Sequence, residues 1–277
     1  MGRNSRRFWQ EIDCGAFTLI MIYMHNTEGK KPLFSIVTVT YNCESTIQNT
    51  IESVICQTDA DYEYIIIDGN SSDDTLKQIA KYKQHITTLI SEPDSGIYDA
   101  MNKGIALSNG EWILFLNSGD FFSNRGALGD VTEHLKESRG GGDIVYGDIY
   151  IDRKSERILK IASEPCNKHR MYFCHQSAFV RTEIMKKIGF DATLKMSADL
   201  LFFKTCYYAQ YKFRHIPVPV VVYDRNGISN TNRIEGLREN LRVIRMIDRF
   251  PVNILYYLRL QVVIQRIRLV TLLKRFL

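Results

Sequence analysis

Three polar clusters each follow a short, apolar, β-branched run: Thr40-Tyr41-Asn42, Asp68-Gly69-Asn70-Ser71-Ser72-Asp73 and Asn117-Ser118-Gly119-Asp120. The first offers an aromatic face and hydroxyls for a base or ribose, and Asp68 can accept a hydrogen bond from a base N–H. Asp120 can hold a divalent ion, which would neutralise a diphosphate and make it a better leaving group. Singly, Asp and Asn at strand ends are ordinary turn formers. Their coincidence at three strand ends is what points to a nucleotide-diphosphate site, because ligands of open parallel sheets bind where the carboxyl ends of strands converge. No GxGxxG or GxxxxGK[ST] follows the first strand, which argues against dinucleotide and P-loop phosphate binding.

The elements that must position these clusters follow from hydrophobic periodicity. Phe34 to Thr40 reads as a buried strand, Ser45 to Gln57 as a helix with Ile47, Ile51, Val54 and Ile55 on one face, and Tyr62 to Ile67 as the next strand. Ser71 and Asp74 have capping-box spacing ahead of a helix through Leu76, Ile79 and Ala80. Thr88 to Ile90 is a short strand, Ile97 to Leu107 a helix ended by Asn109-Gly110, Trp112 to Leu116 a strand, and Ile144 to Ile151 another. The region from Phe173 to Tyr223 is less regular, and from Arg233 onward the chain reads as helix, interrupted near Pro251. This alternation predicts an α/β fold with a single Rossmann-like, mostly parallel sheet flanked by helices.

With 277 residues and 45% apolar content the chain can bury a substantial core. A net charge of +5 suits anionic small substrates or a membrane surface and is too weak to argue for nucleic acid. Cys14, Cys43, Cys56, Cys166, Cys174 and Cys206 show no CxxC pair, so neither a zinc site nor a disulfide framework is expected, and a reducing, cytoplasmic setting is. No apolar stretch is long enough to span a bilayer. Arg3, Arg6 and Arg7 before an apolar run loosely imitate a signal peptide, but Glu11 and Asp13 and the lack of a cleavage site favour an untranslated or disordered extension over 1–32.

The run Ser35-Ile-Val-Thr-Val-Thr-Tyr-Asn42, then Ile67-Asp-Gly-Asn-Ser-Ser-Asp-Asp-Thr75, resembles the opening of the family 2 glycosyltransferases, which have the GT-A fold. So does Ser95-Gly-Ile-Tyr-Asp-Ala-Met-Asn-Lys-Gly-Ile-Ala-Leu-Ser-Asn-Gly-Glu-Trp112, leading into Leu114-Phe-Leu-Asn-Ser-Gly-Asp120. The resemblance implies a catalytic domain over 33–230, with a nucleotide-binding half to 125 and an acceptor half beyond it. It implies that Thr40 and Tyr41 line the nucleoside pocket and Asp68 contacts the base. Asp120 ends the metal-binding DxD-type motif and becomes the ligand of Mn2+ or Mg2+, while Asn117 and Gly119, beside the diphosphate, stand where other members carry Asp. Asp199, in Met196-Ser-Ala-Asp-Leu-Leu-Phe-Phe203, takes the place of the catalytic base, and His175 and Gln176 fall near the acceptor or diphosphate. Tyr223 to Ser229 resembles a closing loop in which Arg225 and Asn226 replace small residues.

The implied reaction is a metal-assisted, inverting, in-line transfer from a nucleoside diphosphate sugar, with UDP the commonest in the family, to an acceptor hydroxyl. The segment 231–277 is expected to form a basic amphipathic tail: from Asn253 it carries Arg259, Arg266, Arg268, Lys274 and Arg275 among Leu, Ile and Val, with no acidic residue. Contact with an anionic membrane would make a lipid-linked saccharide the natural acceptor, in cell-surface polysaccharide biosynthesis at the inner face of the plasma membrane. The alternatives are a nucleotide-sugar-binding protein of the same fold without activity, and a sugar nucleotidyltransferase, which would ordinarily show a basic glycine-rich loop where Tyr41-Asn42-Cys43-Glu44 stands.

Overall fold

The computed structural model describes residues 8–11, 21–24, 31–137, 141–153, 156–166, 171–224 and 232–273. In chain order the strands are β1 (Phe8–Glu11), β2 (Met21–Met24), β3 (Phe34–Thr40), β4 (Tyr62–Asp68), β5 (Thr88–Ser91), β6 (Trp112–Phe115), β7 (Phe121–Phe122), β8 (Ile144–Arg153), β9 (Glu156–Lys160), β10 (Ala178–Arg181) and β11 (Phe213–Tyr223). The helices are α1 (Ile47–Ile55), α2 (Thr75–Ala80), α3 (Ile97–Leu107), α4 (Ala127–Glu137), α5 (Thr182–Ile188), α6 (Ala198–Tyr208), α7 (Arg233–Ile247) and α8 (Val252–Leu273).

All the described strands join one sheet in the order β1-β2-β5-β4-β3-β6-β10-β8-β11-β7, with β9 paired to β8. The pairs β5–β4, β4–β3, β3–β6 and β8–β11 are parallel; the remaining pairs are antiparallel. The segment before residue 33, expected as an extension, supplies β2 as an antiparallel neighbour of β5, with Met21 opposite Ser91.

Strand periodicity divides the core between the two faces of the sheet. Phe34, Ile36, Tyr64, Ile66, Trp112 and Leu114 turn toward Ile47, Ile51 and Val54 of α1. Val37, Val39, Ile65, Ile67, Ile113 and Phe115 turn toward Tyr98, Met101 and Ile105 of α3 and toward α6. Each such side chain, fully buried, contributes about 1.5–3 kcal/mol relative to exposure. The helix α3 lies close on β3 because residue 104 is glycine: a Cβ there would come within 2.5 Å of Val37 Cγ1. At the far end of these strands buried Glu63 accepts from Ser35 Oγ at 2.6 Å and from the Gly110 amide at 3.0 Å, satisfying groups that would otherwise be orphaned.

The capping box expected from Ser71 and Asp74 does not form. The helix begins at Thr75, and the polar run is spent on loop contacts: Ser71 Oγ donates to Asp68, and the Thr75 amide to Asp73 Oδ1 at 3.0 Å. The C-terminal segment breaks between Ile247 and Val252 and folds back as a hairpin of α7 and α8, closed by Leu241, Ile244, Leu260 and Ile264.

α7 also packs on α6, and this explains why α6 is apolar nearly all round. Glu239 accepts the Lys195 and Met196 amides, both at 2.7 Å, and Asn240 Oδ1 accepts Ser197 Oγ at 2.8 Å, just before α6 begins. At the other end Lys204 and Asp248 form a fully buried ion pair at 2.8 Å, joined by the Tyr208 hydroxyl.

Candidate active site

The sheet order places β3 between β4 and β6, so the chain runs outward in one direction through β4 and β5 and then crosses to β6 on the other side. That reversal leaves a crevice at the carboxyl ends of the strands. Thr40, Asp68 and the Asn117–Asp120 loop all end there, as the sequence predicted.

The loops after β3 and β4 are laced together. Asn42, with φ of 51°, accepts the Ser72 amide at 2.9 Å on its side-chain oxygen, and its own amide donates to Ser71 Oγ at 2.8 Å. Asp68 is fully buried, and its carboxylate accepts the Ser71 amide at 2.9 Å, Ser71 Oγ at 2.5 Å and Ser91 Oγ at 2.7 Å. A carboxylate has about four lone-pair sites, and these donors take three of them. Tyr41 is 61% exposed, and the Thr40 hydroxyl is buried without a hydrogen-bond partner.

Gly69 brings a further residue into this pocket. A Cβ there would lie 2.5 Å from Asp94 Oδ2 and 3.3 Å from a Tyr41 ring carbon, so a side chain would push the Asp94 carboxylate aside. Burial raises the Asp94 carboxyl above its usual range, against the opposing pull of the Gly96 amide and Lys103. The sequence reading passed over Asp94. Its signal was its place one residue before the run Ser95 to Trp112.

On the other side of the crevice, Thr50 Oγ1 donates to the Asp120 carbonyl at 2.8 Å and accepts the Gly119 amide at 3.0 Å, fixing the turn. Gly119 has φ of 103°, which a side chain would resist. Asp120 is 5% exposed; its Oδ1 accepts the Asp224 amide at 2.8 Å, and a Cβ on Gly119 would come within 3.0 Å of Asp224 Oδ2. Burial raises the Asp120 carboxyl to about 7, although the Asp224 amide, His175 and Gln176 lower it.

The Asn117 side-chain oxygen is buried without a hydrogen-bond partner. These groups fit a divalent cation. Among the described residues there is no cluster of three or more His, Cys, Asp or Glu side chains, so the ion would take its other ligands from the diphosphate and water. Asp224 is a second residue that the sequence reading missed. The rest of the expected closing loop, from Arg225 to Ser229, lies outside the described residues.

Asp199 stands in the first turn of α6, its side chain 14% exposed. Its Oδ1 accepts the Tyr98 hydroxyl at 3.0 Å, and its Oδ2 lies 3.3 Å from His175 Nδ1. Burial would raise this carboxyl, but His175, the Leu200 amide and Tyr98 outweigh it and leave it below the ordinary value. His175 Nε2 is buried with no hydrogen-bond partner. Gln176 accepts the Cys174 thiol at 2.7 Å and hydrogen-bonds Asp120, so the His175-Gln176 pair spans the space between Asp199 and Asp120. Tyr98 lies within a run already singled out, but nothing in the sequence linked it to a residue 101 positions away.

The comparisons with known proteins bear on the family and the fold. The chain is 27% identical over 239 residues, 85% of its length and 90% of the relative's, to a PGL/p-HBAD biosynthesis glycosyltransferase of Mycobacterium bovis. It is 31% identical over 183 residues, 61% of this chain and 55% of the relative, to the poly(ribitol-phosphate) beta-N-acetylglucosaminyltransferase TarP of Staphylococcus aureus. Among solved structures, S. aureus TarS 1–349 in complex with UDP-GlcNAc superposes with a TM-score of 0.62 at 21% identity, covering 78% of this chain and 67% of that one. The mannosyltransferase PcManGT of Pyrobaculum calidifontis, in complex with GDP-Man and Mn2+, gives 0.61 at 15% identity, covering 85% and 70%. These likenesses establish the GT-A fold. With the model described as "Glycosyl transferase family 2" matching residues 35–216, well over half its length, the chain belongs to glycosyl transferase family 2.

Proposed function

We propose that this glycosyltransferase inverts the anomeric centre as it moves a sugar from a nucleoside diphosphate donor, a UDP-sugar, to a hydroxyl of a saccharide acceptor. The observation that carries the reading is Asp199: a carboxylate at the edge of the crevice, nearly buried yet held in its ionised form by Tyr98 and His175. In that state it can take the acceptor hydroxyl's proton as the new bond forms to the anomeric carbon and the bond to the diphosphate oxygen breaks. One displacement inverts the configuration. Asp120, with Asp224, would hold a divalent cation that offsets the charge of the departing diphosphate. Thr40, Tyr41 and Asp68 take the nucleoside, with Asp94 beside them, and Asn117 and Gly119 border the diphosphate.

UDP as the nucleotide is supported by solved TarS complexes with UDP and UDP-GlcNAc, and the metal by the Mn2+ in PcManGT. Contact with an anionic membrane surface, from which a lipid-linked acceptor would follow, is supported by the geometry of α8. On it Ile254, Leu255, Leu258, Val262 and Leu269 are exposed beside exposed Arg259, Arg266 and Arg268. No helix among the described residues is long and apolar enough to cross a membrane, so the contact would be peripheral.

Calorimetric titration with a panel of nucleoside diphosphates, with and without manganese, tests the donor site. One nucleotide should bind tightly, more weakly in Asp68→Ala and without manganese dependence in Asp120→Ala. Asp199→Asn should lose about 10³-fold in transfer while keeping nucleotide affinity. A folded protein that binds no nucleotide refutes the reading. Nucleotide binding without transfer, in wild type as in the variant, favours the inactive binding protein instead.

A further inference from the structure

Beside Asp199 lies a cavity of about 250 Å³ between the start of α6 and the first half of α7. Its apolar lining comes from Met171, Met196, Leu200 and Leu237. Its polar lining comes from Ser197, Asn240, Asp199 itself and a single cation, Arg233. We propose that this cavity is the acceptor subsite, and that Arg233 selects an acceptor whose sugar carries an anionic substituent, a phosphate or a carboxylate. The inference rests on Asp199 being the base, since the reacting hydroxyl must then lie against it.

The volume falls just below the roughly 300–1,000 Å³ of drug-sized sites, so the cavity admits one sugar ring with a substituent and not an extended glycan. Ser197 Oγ is already given to Asn240 Oδ1 at 2.8 Å, which leaves the Asn240 amide nitrogen to donate to a sugar hydroxyl. The methionine and leucine side chains suit the C–H face of a ring.

The charge balance then decides the substrate class. Asp199 is anionic, and an acceptor bearing a second anion would be repelled from the cavity unless a cation met it. Arg233 is exposed, and among the described residues no carboxylate pairs with it. The acidic residue in the first turn of α7, Glu235, is paired with Arg238 instead. Arg233 also occupies the first position of a 15-residue helix, where the unpaired amides of the first turn favour negative charge. A guanidinium presents a planar fork of donors matched to phosphate and carboxylate. The segment past residue 231, expected as a basic amphipathic tail, thus supplies one wall of this cavity through Arg233, Gly236, Leu237 and Asn240.

The test is calorimetric binding of octyl glucoside, octyl glucuronide and octyl glucoside phosphate to the full chain loaded with UDP. The anionic glycosides should bind at least about tenfold more tightly than the neutral one, and Arg233→Ala should erase the difference. Arg238→Ala, one turn along the helix, should preserve it. Whichever anion binds more tightly assigns the substituent. Equal affinity of wild type for all three, binding of none, or a preference that survives in Arg233→Ala overturns the proposal. UDP binding is the separate control. If it is intact, such a result removes only the anionic acceptor; if wild type fails to bind any nucleotide, the transferase reading itself falls.

Discussion

Tyr98 and His175 close on the two oxygens of Asp199 from different elements, and this makes them positioning residues for the proposed base. The other buried carboxylate of the site, Asp120, is pushed the opposite way. Burial dominates there over the Asp224 amide, His175 and Gln176, so it reaches about 7, while Asp199 stays below the ordinary value. Two aspartates thus acquire different chemistry from their surroundings. Removing the Tyr98 hydroxyl removes a donor that favours the charged form. Tyr98→Phe should therefore raise the Asp199 carboxyl and move the acid limb of the kcat–pH profile to higher pH. A merely structural loss would lower kcat at every pH and leave the limb in place. The sign for stability is the same: the depressed carboxyl of Asp199 contributes stability above its unfolded value and loses it as pH falls through the folded one.

At the scale of elements, α6 is held at both ends by α7, through Glu239 and Asn240 at its start and the Lys204–Asp248 pair near its end. Breaking a buried ion pair from one side leaves the other charge uncompensated. Asp248→Ala should cost about 3–5 kcal/mol in chemical denaturation, whereas Lys204→Met with Asp248→Leu should restore most of the loss. The opposite kind of constraint operates where α3 crosses β3. Gly104→Ala puts a methyl group into Val37 and should cost about 1–3 kcal/mol, read from the same denaturation curves. A Gly104→Ala protein as stable as wild type would show that α3 can lift from the sheet without loss.

The molecule as a whole has a crevice at the carboxyl ends of its strands, a cavity beside Asp199 and a helical hairpin on its flank. On α8, Leu260 and Ile264 turn inward to α7, while Leu255, Leu258 and Val262 lie on the opposite side and are 66%, 58% and 68% exposed. The helix is therefore apolar on two opposing faces, one spent on the fold and one left outward, and not on the single face of a simple amphipathic tail. If the outward face meets lipid, Leu255→Glu with Leu258→Glu should abolish co-sedimentation with phosphatidylserine-containing vesicles without changing the melting temperature, since neither side chain is buried. Sedimentation unchanged in the double variant would sink the membrane contact.

Much of this was legible in the sequence, because local patterns record local causes. The short β-branched run Phe34 to Thr40 and the spacing of Ile47, Ile51 and Val54 specify strand and helix without tertiary help, and polar residues at three strand ends mark the crevice. What the sequence could not record were contacts between distant segments. Tyr98 meets Asp199 across 101 positions, Asp224 reaches Asp120 across 104, and Asp94 and Tyr41 close on Gly69 from separate loops, where a side chain would crowd them. The basic residues set among Leu, Ile and Val from Asn253 onward suggested a lipid surface, since such a pattern reports that a helix has apolar residues and not what covers them. The tertiary structure decided that one side of α7 and one side of α8 are covered by protein, because α6 buries Phe202 and Phe203 in the core and still needed partners for Ser197 and Lys204, which Asn240 and Asp248 supply.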